Sequence, residues 1–168
     1  MKGLWELWMG NEKIAERDFN NFLKKKMIIK GATEIEVKGH LNKARRNLLF
    51  AKEVIDELEG YYEWSLVIYY YAVYQAALAL GASKGFKTKK HLATICLLVN
   101  FFYPKHISKE DLAVISETTI KDEDINNFVE LKGKREDANY SISVDYEREV
   151  ADIMGKKAIE FVNKAERI

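Results

Sequence analysis

The segment NNFVELKGKREDANYSI, residues 126–142, holds the side chains best suited to chemistry. On a helix, Phe128 and Arg135 are seven apart and share a face, and Leu131 and Ala138 border it. Arg135 is therefore expected to point toward the packed side or its edge. A guanidinium there needs a carboxylate, phosphate or carbonyl partner, because an unpaired buried charge is costly. Asn139, at i+4, can share that site. Tyr140, at i+5, lies about 140° away on an ideal helix. It joins the site only if the helix ends or bends, or across a dimer interface. Two readings stay open: a guanidinium that binds a ligand, and a structural arginine–carboxylate pair.

Lysines supply a second candidate surface. The net charge is only +1, but it is unevenly distributed. Residues 1–63 carry 12 basic and 11 acidic side chains, net +1. Residues 64–109 carry six lysines and no acid, net +6. Residues 110–168 carry 9 basic and 15 acidic side chains, net −6. Lys84, Lys87, Lys89, Lys90 and His91 precede one predicted helix, and Lys105 and Lys109 follow it. Such a cluster attracts phosphates. The alternative is a solvated loop balanced by the acidic C-terminal third. Lys24, Lys25 and Lys26 form another basic run, for which a solvated surface is the simpler reading.

Many enzyme signatures are missing. There is no G-x-G-x-x-G, P-loop, H-E-x-x-H or C-x-x-C. His40, His91 and His106 are too scattered to propose a metal site, and nothing suggests a cofactor. Cys96 lies among Ile95, Leu97 and Leu98 and reads as a buried structural thiol. The start, MKGLWELWMGNEK, lacks the apolar core and cleavage site of a secretory signal. A cytoplasmic location is expected.

The elements that position these residues are helical. The 168 residues suit one domain, and one proline and nine glycines leave little punctuation for a many-stranded sheet. Thr33 and Glu36 form a T-x-x-E capping box. Val37, Leu41, Ala44, Leu48, Ala51, Ile55 and Leu58 follow as a heptad stripe, with Gly60 suited to the helix end. The uncharged run Trp64–Ser83 is long enough to cross a bilayer. Its mid-segment tyrosines and Gln75 favour a buried bundle helix instead, with Ser65, Ala72, Ala76 and Ala79 on one close-packing side and Gly81 as its stop. No membrane partner is expected.

ASKGFKTKK then reads as a loop. Thr88 is expected to cap a third helix with Leu92, Ile95, Val99 and Phe102 inward, ended by Pro104. Ser108 with Asp111 opens a short helix. Another helix is expected near 124–139, and a last one, capped by Ser143, carries Val150, Met154, Ala158, Phe161, Ala165 and Ile168. Gly133 and Gly155 each weaken their helix by about 1 kcal/mol relative to alanine. Residues 1–32 read as a helical extension, with a helix over Asn11–Met27 and Trp5 and Trp8 on one face. Residues 33–168 read as an all-α, antiparallel up-and-down helical bundle.

In order and spacing, three segments resemble the HEPN domain family (higher-eukaryote and prokaryote nucleotide-binding domains). They are residues 40–85, residues 86–98 (FKTKKHLATICLL), and residues 134–142 (KREDANYSI), before a final helix ending in A-x-E-F-V. The likeness covers roughly residues 37–168. It implies a helical bundle that usually dimerises. It also implies a nucleotide- or RNA-related role, often as a ribonuclease toxin of a toxin–antitoxin pair, encoded beside a minimal nucleotidyltransferase. The family's nuclease motif is an arginine and a histidine separated by four to six residues. Arg135 fits, but Tyr140, Ser141 and Ile142 occupy the permitted histidine positions. The chain resembles a branch with arginine then A-[DN]-Y.

That departure matters because cleavage through a 2′-hydroxyl benefits from a general base near neutral pKa. An unperturbed tyrosine, with pKa about 10, is a poor one. The expected protein is thus a dimeric module binding a nucleotide, RNA or a nucleotidyltransferase through Arg135, Asn139 and Tyr140, with Lys84, Lys87, Lys89, Lys90 and His91 as a phosphate-attracting rim. The alternatives are a metal-independent ribonuclease with Arg135 and Tyr140 catalytic, or His91 as the replacement base, and a purely structural interaction module.

Overall fold

The computed structural model describes residues 4–117 and 143–168. Seven helices and one two-stranded sheet lie within them: α1 (Leu4–Gly10), α2 (Glu12–Lys24), β1 (Ile28–Lys30), α3 (Glu34–Glu57), α4 (Tyr62–Ser83), β2 (Phe86–Thr88), α5 (His91–Phe101), α6 (Lys109–Glu117) and α7 (Ser143–Arg167). The helix expected near 124–139, with Gly133, falls outside the described residues. The architecture is an all-α bundle.

Local chemistry sets several boundaries as the sequence predicts. The capping box at α3 is reciprocal. The Thr33 amide donates to Glu36 Oε2 at 2.9 Å, and the Glu36 amide to Thr33 Oγ1 at 3.4 Å. Ser108 and Asp111 open α6 in the same way, at 2.7 and 3.2 Å. The Lys164 ammonium of α7 also donates to Asp111, tying the two helices. Gly60 takes a φ of +83° after α3. Ser143, expected to cap the last helix, is instead the first residue of α7.

The uncharged run forms the central helix. α4 packs against α3 along its length and against α7. Two-thirds (67%) of its most apolar window is buried, as a core helix requires. Ser65, Ala72, Ala76 and Ala79 are all buried, as expected of a close-packing side. Gly155 of α7 is part of this close packing. A Cβ there would lie 2.8 Å from Tyr69 Cζ, so the glycine admits a buried tyrosine ring between the helices. Its cost to helix propensity is offset by this approach.

Several expectations need correction. Gly81 does not end α4; it stays helical, and the left-handed turn falls on Gly85 (φ +81°), whose amide donates to Ala82 at 2.8 Å. The lysine-rich loop contains a strand. β2 pairs antiparallel with β1, with Ile28 opposite Thr88, Ile29 opposite Lys87 and Lys30 opposite Phe86. Three-residue strands are too short to show alternation in a sequence. Thr88 therefore serves the strand rather than the cap; its hydroxyl meets that of Thr94 at 2.6 Å, and Lys90 is the N-cap of α5. Leu92 is exposed, whereas every residue from Ala93 to Val99 is buried. The middle of α5 is enclosed because α1 and α2 pack on it together with α4.

The first 32 residues thus pack on α5 and pair with β2. Trp8 is 1% exposed, and its indole donates to Asp18 at 2.9 Å, holding that carboxyl below its ordinary pKa. Phe19 sets its edge against Phe86 and Phe101, with ring centroids 5.3 and 5.4 Å away. α2 is shorter than expected: Asn11 is its N-cap, and it ends at Lys24. The chain then leaves through a Schellman turn, with Met27 N–H donating to Phe22 at 2.9 Å and Lys26 N–H to Leu23 at 3.0 Å. Lys26 holds a φ of +56°, where glycine is usual and another residue costs about 1 kcal/mol.

Two measurements check this packing. In an ordinary helix, Gly→Ala stabilises; here Gly155→Ala is expected to destabilise by about 1–3 kcal/mol through overpacking, read as a lower Tm. An unchanged or raised Tm would mean that Tyr69 does not occupy that space. Burial pushes the Cys96 thiol up to about 12, and its Sγ lies 3.6 Å from the Ala15 carbonyl oxygen of α2. Cys96 should therefore resist a thiol reagent at neutral pH. Trp8→Ala should cost about 3–5 kcal/mol and make Cys96 reactive. Equal protection in both proteins would contradict closure of the core by the N-terminal helices.

Candidate ligand-binding site

Arg135, Asn139 and Tyr140 lie outside the described residues. The other site candidates cluster around α5, and the fold divides them. Lys84 caps the C-terminal end of α4 and stands 5.2 Å from the Phe102 ring centroid, beyond the C-terminal end of α5. Lys89, Lys90 and His91 lie at the opposite end of α5, whose 11 residues span about 16 Å. The five residues therefore do not form one continuous rim. Lys87 is engaged with Glu36 at 2.6 Å, and this contact holds the Glu36 carboxyl below its ordinary pKa. Lys109 likewise meets Glu6 at 3.3 Å. These two lysines are balanced by acids near the N-terminus rather than by the acidic C-terminal third. Lys89 and Lys90 are exposed and enter none of the ion pairs among the described residues.

His91 has a specific setting. Its imidazole stacks on Tyr74, with centroids 4.0 Å apart and planes 17° apart. Tyr70 lies nearly parallel to both, 5.5 Å from His91 and 6.1 Å from Tyr74. Tyr70 and Tyr74 are four apart on α4, so one helical face presents both rings. Burial pushes the Tyr74 hydroxyl above its ordinary pKa, partly countered by a hydrogen bond with Thr94. The Tyr70 hydroxyl is buried and makes no hydrogen bond among the described residues. His91 Nε2 is closed to solvent, and His91 also has an interaction beyond these rings. The i, i+4 tyrosine pair was visible in the sequence; its histidine partner, 17 residues beyond Tyr74, was not.

The remaining histidines go elsewhere. His40 Nδ1 lies 2.7 Å from the Oε1 of buried Gln75, and His106 sets its ring edge-on to Phe102 at 6.3 Å. Among the described residues, no three potential metal ligands come together.

The arrangement is suited to holding an anion or an aromatic group more than to moving protons. Its exposed charges are lysines, which bind phosphates as point charges. Its one described imidazole is packed face-on against a tyrosine. No match was found among curated proteins or among solved structures. A family model described as HEPN domain does match, over residues 37–168, which include α4 through α7, all but the first three residues of α3, and Arg135, Asn139, Tyr140, Lys84, Lys87, Lys89, Lys90 and His91. With most of its length covered by that match, the chain belongs to the HEPN domain family.

Proposed function

We propose that this HEPN protein binds RNA or a nucleotide without cleaving it, and that it belongs to the branch in which the arginine is followed by A-[DN]-Y. The observation that carries this reading is the His91 stack. A general base must come within hydrogen-bond reach of the proton it takes. His91 is the natural substitute for the histidine missing after Arg135; its ring lies flat on Tyr74 and its Nε2 is closed to solvent, which supports a packing role for it. Arg135 then binds phosphate through a charge-assisted, bidentate contact, with Asn139 and Tyr140 supplying polar contacts. No proton-transfer group is required of them.

The reading includes a cytoplasmic homodimer. Its support is a set of large apolar side chains facing solvent. Leu49 and Phe50 on α3 are 66% and 55% exposed, and Trp64 and Tyr71 on α4 are 51% and 45% exposed. Trp64 and Tyr71 are seven apart and form one stripe. A minimal nucleotidyltransferase encoded nearby is the protein partner, and a toxin–antitoxin pair is the setting.

Incubation of purified protein with a mixed RNA pool in EDTA should leave the RNA intact while retaining it on the protein. Arg135→Ala should weaken binding by roughly tenfold, the effect of losing one charge-assisted contact. Cleavage that disappears in Arg135→Ala would overturn the binding-only reading. For the dimer, sedimentation at micromolar concentration should give twice the chain mass, and Trp64→Asp should give a monomer. A monomeric wild type would remove the shared interface.

A further inference from the structure

Two basic runs that are 63 residues apart in the sequence, counted from Lys26 to Lys89, meet at one place in the fold. The β1–β2 register brings them together. Ile28 pairs with Thr88, and one step outward the Lys89 amide donates to the Met27 carbonyl at 3.4 Å. The chain on either side of that contact supplies Lys24, Lys25 and Lys26 from the end of α2, and Lys89 and Lys90 from the start of α5. All five are exposed and enter none of the ion pairs among the described residues. The parent stretches, residues 19–32 and 64–109, contain no acid.

Helix-end electrostatics do not account for this set. Lysines at the end of α2 suit the negative end of a helix, but Lys90 sits at the positive end of α5. Two of the five also occupy positions that local structure assigns to other residues. Lys26 takes the left-handed φ of +56° that glycine adopts freely. Lys90 is an N-cap with no side-chain hydrogen bond, where serine, threonine, aspartate or asparagine is preferred. Local rules broken twice at one spot mark a functional surface.

We propose that Lys24, Lys25, Lys26, Lys89 and Lys90 form a surface that binds the phosphodiester backbone of a nucleic acid. The inference rests on the RNA-binding reading above and adds a second contact region to it. An acidic protein partner would need an apolar anchor at the centre of its interface. Stable membrane docking would add inserting apolar side chains to the basic patch. The exposed large apolar side chains lie mainly on α1, α3, α4 and α7, with Leu92 the one that neighbours the patch in sequence. The backbone contact carries no base information, so RNA and DNA single strands of one sequence should bind alike.

The test is the double variant Lys26→Gly, Lys90→Ser, which restores the preferred residue at both positions. It should fold with an unchanged or higher Tm. Its affinity for a labelled single-stranded 20-mer RNA should fall by roughly tenfold, and the slope of log K against log salt should flatten by about 1.4, or 0.7 for each lost contact. An undiminished affinity and slope would overturn the proposal while leaving the RNA-binding reading intact. A wild type that binds no RNA at low salt would overturn both. Phosphatidylserine vesicles serve as the second probe. Lysine-dependent binding to them, with RNA affinity unaffected, would transfer the surface to membranes and overturn the proposal.

Discussion

The constraint on which the structure depends is the burial of α4. A 22-residue helix with no polar stripe must be covered on nearly every side. α3 and α7 cover most of it, and small residues on α4 let them approach. At Gly155 the approach is so close that Tyr69 fills the space of a side chain. α5 completes the cover and is itself apolar almost throughout, so it needs cover in turn. The N-terminal helices provide it, with Trp8 and Phe19 in the same core as Leu97 and Phe161. Burial thus propagates outward from one helix to the first residues described.

This nesting fixes what the surface can do. Because β1 is tied to β2, the end of α2 lies beside the start of α5, and two lysine runs become neighbours. Because the chain returns through β2 before α5 starts beside the middle of α4, His91 reaches Tyr70 and Tyr74. The same stack covers one face of the imidazole and organises this end of the helix. The exposed lysines lie at the same end of α5 as this packed histidine.

Much of the fold was legible in the sequence because its signals are local. The Thr33–Glu36 and Ser108–Asp111 boxes and the apolar run of α4 each depend on neighbours within a few residues. Features that depend on distant partners were not legible. The sheet joins residues 58 positions apart through three-residue strands, and Thr88 is drawn from the expected cap into that pairing. Gly155 reads as a helix defect until Tyr69 is placed beside it. The lysines were visible as runs, but their grouping followed the sequence: Lys84 and Lys87 were joined to Lys89 and Lys90, whereas the fold occupies Lys87 with Glu36 and substitutes Lys24–Lys26. Arg135, Asn139 and Tyr140 are sequence-derived candidates outside the described residues.

The most direct test of the account is photo-crosslinking of the whole protein to a 4-thiouridine-substituted RNA, followed by mass spectrometry of both components. Binding without cleavage predicts full-length RNA attached to peptides containing Lys24–Lys26, Lys89–His91 and Arg135. Shortened RNA, or adducts confined to other peptides, would contradict it.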